Sequence, residues 1–188
     1  MKLLLYCTKA KPYIMKYKDG KYKEIASFYN KQDLATYDLI NGKIVAECDF
    51  DVEEIYIGKS YGFPRNIEIV YTDSLRQPIY LSQKSCLKLE DICEYLNHKD
   101  GYAIHIKNLH IFDYPRDLDD YEYMRRVKGE PTLRAVLTEA PQNMRKIIAY
   151  GTDAILISIR PEWLCKILNG EKTIEVRKKV LKEMLKYD

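Results

Sequence analysis

Little in this chain is extreme, and what it lacks narrows its class. The five cysteines, Cys7, Cys48, Cys86, Cys93 and Cys165, are odd in number, form no C-x-x-C pair and have no histidine at zinc-ligand spacing. That argues against a disulfide scaffold or a zinc ribbon and leaves reduced thiols in a cytoplasmic compartment as the expectation. No apolar run approaches the ~20 residues of a membrane span, and the apolar opening Met1–Tyr6 is too short for a secretion signal. The expectation is a soluble protein with no membrane partner. No internal repeat or low-complexity tract appears. Neither sign of charge dominates: the formal net charge is +3 with a pI near 8.4, which permits nucleic-acid contact without demanding it.

What is present is apolar residue and tyrosine. With 188 residues, 46% of them hydrophobic, the chain can bury a sizeable core within the size range of one domain. Its seventeen tyrosines serve equally for half-buried packing on sheets and for stacking on bases, and packing is the commoner use. Strand patterns fall at about 2–8, 42–50, 53–57, 67–71, 102–106, 109–113, 154–160 and 172–177. Helical spacing appears in Leu89, Ile92, Cys93 and Leu96, and again in Leu164, Ile167 and Leu168 behind Pro161. Val180, Leu181, Met184 and Leu185 alternate with lysines, so 178–188 reads as a C-terminal amphipathic helix. Residues 16–40 and 114–135 read as surface excursions. The acids Asp117, Asp119 and Asp120 lack the glycine and glutamate of a calcium loop, and no metal site is expected.

The densest chemistry is near the end, in Gly170-Glu171-Lys172-Thr173-Ile174-Glu175-Val176-Arg177, a G-x-K-x-x-E-x-R pattern. Gly170 permits a tight turn after the preceding helix. The alternation that follows places Thr173, Glu175 and Arg177 on one strand face, opposite Ile174 and Val176, with Lys172 at the junction. A carboxylate and a guanidinium two residues apart, with an ammonium nearby, suit a polar planar ligand such as a nucleobase. The plainer alternative is a solvated face with an Arg–Glu pair of little energetic weight.

The segment before the motif, Ala154–Arg160 then Pro161–Asn169, reads as an apolar strand and a helix. Strand, helix, glycine turn and G-x-K-x-x-E-x-R together resemble the ASCH family, whose members have a β-barrel related to PUA domains. Lys2–Lys9 with Pro12-Tyr13, Asn41–Phe50, Gly101–Ile106 through Phe112–Pro115, and Ala140–Met144 resemble successive later segments of bacterial and phage ASCH proteins. The family begins with the piece found here at 154–177 and ends with the piece found near 144. The resemblance implies one α+β domain over 1–188: a PUA-like barrel with a few peripheral helices, in circularly permuted order. Residues 1–150 would supply the main strands, 154–177 would complete the barrel, and 150–153 would join the original ends. Exchange of 154–188 between two copies, making a swapped dimer, stays open beside a monomer.

For function the resemblance implies a pocket with two uses. Many ASCH domains bind RNA or nucleotides, and on this reading Lys172, Thr173, Glu175 and Arg177, with Tyr6, Thr8 and Lys9 from the adjoining strand, line the site. Some small bacterial members are amidohydrolases that deacetylate N4-acetylcytidine with a lysine, a threonine three residues later and a distant glutamate. Lys172 matches that lysine, but the position three residues on is Glu175, and only Glu47 and Glu68 offer a distant acid. Glu175 beside Lys172 should raise the ammonium pKa and favour binding over catalysis. No cofactor is implied, and a module that grips another protein is the third reading. His105, between Ile104 and Ile106, is expected to face away from the core side of its strand, while the sequence by itself names no partner for His98 or His110.

Overall fold

The computed structural model describes residues 1–8, 13–18, 21–26, 40–60, 67–75, 77–125, 128 and 133–186. The chain is α+β. Its strands are β1 (Lys2–Cys7), β2 (Tyr13–Lys18), β3 (Lys21–Ala26), β4 (Ile44–Ser60), β5 (Ile67–Thr72), β6 (Gly101–Arg116), β7 (Glu122–Arg125), β8 (Leu133–Val136), β9 (Met144–Ala149), β10 (Thr152–Ile159) and β11 (Ile174–Arg177). The helices are α1 (Pro78–Ser85), α2 (Leu89–Tyr95) and α3 (Pro161–Leu168), with short 3-10 turns at Leu118–Asp120 and Lys182–Lys186. Nine strands form one mixed sheet in the order β11-β6-β4-β1-β10-β9-β7-β8, with β5 on β4, while β2 and β3 pair separately. Among the described residues the strand path does not close. None of the described helices is long and apolar enough to cross a membrane.

The chain divides into two compact units, one of residues 1–49 and 108–169, the other of residues 50–107 and 170–188. In the first, β1 lies parallel to β10 in register from Lys2↔Ala154 to Cys7↔Ile159, and antiparallel to β4. Leu3 through Cys7 and Ala154 through Ile159 are all buried, the mark of strands covered on both faces. Leu4, Tyr6, Ile44, Phe112, Tyr121, Ile147 and Leu156 belong to one core cluster. α3 packs on β1 and on the β2–β3 hairpin, with Leu164, Ile167 and Leu168 buried. Ser158 ties 140–144 to β10: its hydroxyl donates to the Pro141 carbonyl at 2.6 Å and its amide to that of Asn143 at 3.0 Å. None of the five cysteines is in a disulfide, and burial pushes the Cys7 and Cys48 thiols up to about 12.

In the second unit, β5 pairs with β4 from Ile55↔Thr72 to Ser60↔Ile67, and β11 with β6 from Ile174↔His105 to Arg177↔Tyr102. Ile55, Val70, Leu81, Ile92, Leu96, Ala103, Ile174 and Val176 make its core. Gly101 is there for close approach: a Cβ would meet Leu96 Cδ2 at 2.5 Å and the Arg177 carbonyl at 3.0 Å.

Several elements differ from the sequence reading. The separate strands expected at 42–50 and 53–57 are one 17-residue strand, and those at 102–106 and 109–113 are one of 16. The charges that mimic breaks are paired: Asp49 with Asn108 and Lys2, Asp51 with Lys107, Glu53 with His105. α1 carries only two buried positions, Leu81 and Ser85, too few for a helical stripe to be legible. The expected excursion at 16–40 takes in the end of β2 and all of β3, and 19–20 and 27–39 lie outside the described residues. The C-terminal amphipathic α-helix is instead the 3-10 turn Lys182–Lys186, which buries Met184 and leaves Leu185 exposed. Such a short segment gains too few hydrogen bonds to repay nucleation of an α-helix. Asp117 and Asp120 cap the other 3-10 turn, and Asp117 pairs with Lys43.

Leu164 has no exposed surface. Leu164→Ala should cost about 2–5 kcal/mol, read as a lowered midpoint in chemical denaturation. An unchanged midpoint would mark α3 as peripheral.

Candidate functional site

The G-x-K-x-x-E-x-R segment lies in the second unit and does two structural jobs. Ile174 and Val176 point into the core, 1% and 4% exposed, so alternation sends Glu175 and Arg177 to the opposite face. That face is not solvated: the side chains of Lys172, Glu175 and Arg177 are 1%, 11% and 12% exposed. The plainer alternative, a solvated strand face, is overturned. The carboxylate stands between two cations, with Glu175 Oε2 3.4 Å from Lys172 Nζ and Oε1 2.9 Å from Arg177 Nε.

The second job concerns α1. The last carbonyls of a helix have no intrahelical partner, and α1 ends with Cys86 in the left-handed region at φ 56°. Lys172 Nζ donates to the Ser85 carbonyl at 2.7 Å, and the Thr173 amide to that of Lys84 at 2.9 Å. A cation is well placed at that end of a helix. The Thr173 carbonyl accepts from the Ile106 amide at 2.9 Å, so the segment is pinned to β6 one residue before β11 begins.

These surroundings reverse the expected titration of Lys172. Burial lowers its pKa below the ordinary lysine value, and that effect outweighs the raising influence of Glu175. Pairing with a single carboxylate does not replace the hydration of an ammonium this deeply enclosed. A perturbed lysine held by a specific charge partner marks a functional-site candidate.

Of the other residues expected here, Tyr6 is 3% exposed within the core of the first unit, and Thr8 donates its amide to the Ile159 carbonyl at 3.0 Å there. Lys9 lies outside the described residues. Glu47 belongs to the first unit, 3.7 Å from His110 Nδ1, and the Glu68 side chain is outside the description. The chain was compared with family models, curated proteins and solved structures. It matches none of them.

One polar group of the second unit escapes sequence reasoning. His105 Nε2 meets Glu53 Oε1, while Glu53 also accepts from the Ser74 hydroxyl at 2.6 Å and the Ser74 amide at 3.0 Å. Burial alone would raise the Glu53 pKa, but these hydrogen bonds hold it below the usual carboxylate range. The order is serine to acid to histidine, so the histidine cannot take the serine proton as a nucleophilic triad requires. The acid clamps a turn. The expectation that His105 faces away from the core is corrected by the register: His105 lies opposite Ile174, on the sheet face that also carries Ala103 and Val176.

The lowered Lys172 pKa carries a sign for stability. The unfolded chain binds the Lys172 proton more tightly, so this group's contribution rises with pH between its folded value and the ordinary 10.5. Wild type should therefore gain stability relative to Lys172→Met as pH is raised from 8 toward 10. Parallel denaturant curves of the two proteins across that range check it.

Proposed function

We propose that this chain binds RNA or a nucleotide through the region of its G-x-K-x-x-E-x-R segment, as a PUA-like module of the ASCH kind in permuted order. The observation that carries the reading is the buried Lys172–Glu175–Arg177 row. Three contacting charges on and beside a four-residue strand are costly to bury, and perturbed charges of this kind cluster at functional sites. On this reading Glu175 orients the Arg177 guanidinium, the most exposed of the three groups. Arg177 then contacts a phosphate or a base carbonyl with its planar fork, and Thr173 belongs to the same wall. The permuted order is supported by the parallel pairing of β10 with β1 and by the pairing of β11 with β6. The sheet would close as a barrel, from one chain or by exchange between two.

One observation favours the hydrolytic alternative. A lysine whose pKa is lowered by burial is closer to the neutral amine that nucleophilic or base catalysis uses. An amidohydrolase acting on an acylated nucleoside such as N4-acetylcytidine would draw on Lys172 in that state. Its ammonium now donates to the Ser85 carbonyl, so substrate would have to displace that contact.

Arg177→Ala should weaken binding of nucleotides or short RNAs about ten- to a hundredfold, the loss of a charge-assisted contact worth roughly 1.5–3 kcal/mol. Arg177→Lys, which keeps the charge and loses the fork, should fall between. Titration with both variants, folding checked by melting, tests the reading. Unchanged affinity in a folded Arg177→Ala would reject it. Turnover of N4-acetylcytidine that disappears in Lys172→Ala would make the protein an enzyme.

A further inference from the structure

Tyr150 sits where its side chain is a burden to the backbone. β9 and β10 are joined by the two-residue turn Tyr150-Gly151, with Ala149 opposite Thr152, and both turn residues have positive φ, 49° and 79°. That left-handed pair is the province of Asn-Gly or Gly-Gly, and a bulky aromatic at its first position is a genuine outlier. The core does not compensate, because Tyr150 is 71% exposed. Strain of this kind persists where the side chain is wanted.

What the ring meets is a layered cluster, all of it in the unit of residues 1–49 and 108–169. The Arg116 guanidinium carbon lies 3.6 Å from the Phe112 ring centre and 5.0 Å from that of Tyr150. Tyr121 meets Tyr150 edge-on at 6.1 Å, and Arg116 Nη1 is 3.5 Å from its hydroxyl. Beside this stack is a cleft of about 390 Å³, lined among others by Phe112, Tyr114, Arg116 and the three acids Asp113, Asp117 and Asp120. His110, Phe112, Tyr114 and Arg116 occupy alternate positions of β6, and Tyr114 is 85% exposed. Asp117 is engaged by Lys43, and Asp120 accepts from the Asp117 amide at 3.2 Å.

We propose that this surface is a stacking site for unpaired bases of a single-stranded nucleic acid, with the exposed rings of Tyr114 and Tyr150 as platforms and Arg116 as the cation layered among them. Flat aromatic faces interleaved with a guanidinium suit bases splayed out of a strand. The proposal takes its ligand class from the function proposed above and rests on it to that extent, but uses none of the motif residues.

The test is anisotropy titration of the whole chain with a labelled short oligo(A) RNA, with the same RNA in a duplex as a second arm. Tyr150→Asn should melt at or above the wild-type temperature, because asparagine suits the left-handed turn, and yet bind the single strand roughly tenfold more weakly. Tyr114→Ala should keep its melting temperature and lose affinity to a similar degree. The duplex should bind much more weakly than the single strand. Wild-type affinity in both tyrosine variants, with loss in Arg177→Ala, would overturn the stacking site and leave the motif reading standing. The reverse pattern upholds the stacking site and removes the motif. If wild type binds no oligonucleotide, or prefers the duplex, the proposal fails and protein docking becomes the reading for the exposed rings.

Discussion

An ammonium almost wholly out of water must find oxygen atoms, and Lys172 finds the Ser85 carbonyl and the Glu175 carboxylate. Much of the unit of residues 50–107 and 170–188 is organised around that need. The first contact satisfies the end of α1, which has no side-chain cap at its start and leaves its last carbonyls to the motif segment. The second draws Glu175, and with it the register of β11 on β6, into an arrangement that also places Ile174 and Val176 in the core. Packing and charge satisfaction thus specify one register, since a slip by one residue would expose the apolar pair and drive the charges into the core. Agreement between local and global demands of this sort favours a single packed state.

The unit of residues 1–49 and 108–169 is held together differently. Its strands β1 and β10 are nearly unbroken apolar runs, and its charged pairs, such as Lys2 with Asp49 and Lys146 with Asp153, lie at the surface where they contribute little. Burial of leucine, isoleucine and tyrosine supplies its stability. Its notable polar group is the Arg116 guanidinium, layered between the rings of Phe112 and Tyr150. One unit conceals three charges, and the other exposes Tyr114 and Tyr150 beside a guanidinium layered on rings.

The elements that were legible are those whose pattern depends on neighbours in sequence. Leu3–Cys7 and Ala154–Ile159 read as buried strands because every residue is apolar or small, and α3 reads as a helix because Pro161 starts it and Leu164, Ile167 and Leu168 repeat at its period. The two long strands were legible only in pieces. Their interruptions, Asp49, Asp51 and Glu53 on β4 and His105, Lys107 and Asn108 on β6, neutralise one another across residues far apart in sequence. α1 was illegible because it is short and mostly exposed.

The sequence by itself determined the apolar runs, the helix behind Pro161, the glycine turn at Gly170 with φ 77°, and the alternation that separates Ile174 and Val176 from Glu175 and Arg177. Which face would be wet was decided by tertiary structure, because burial is a property of what packs above a strand and not of the strand. The same holds for the Lys172 pKa: proximity to Glu175 follows from spacing, but the desolvation that outweighs it requires the enclosure of the side chain. Tyr150 lies at the same boundary. Its place before Gly151 is plain in the sequence, while its left-handed backbone and its Arg116 neighbour arise only when β6, β9 and β10 are brought together.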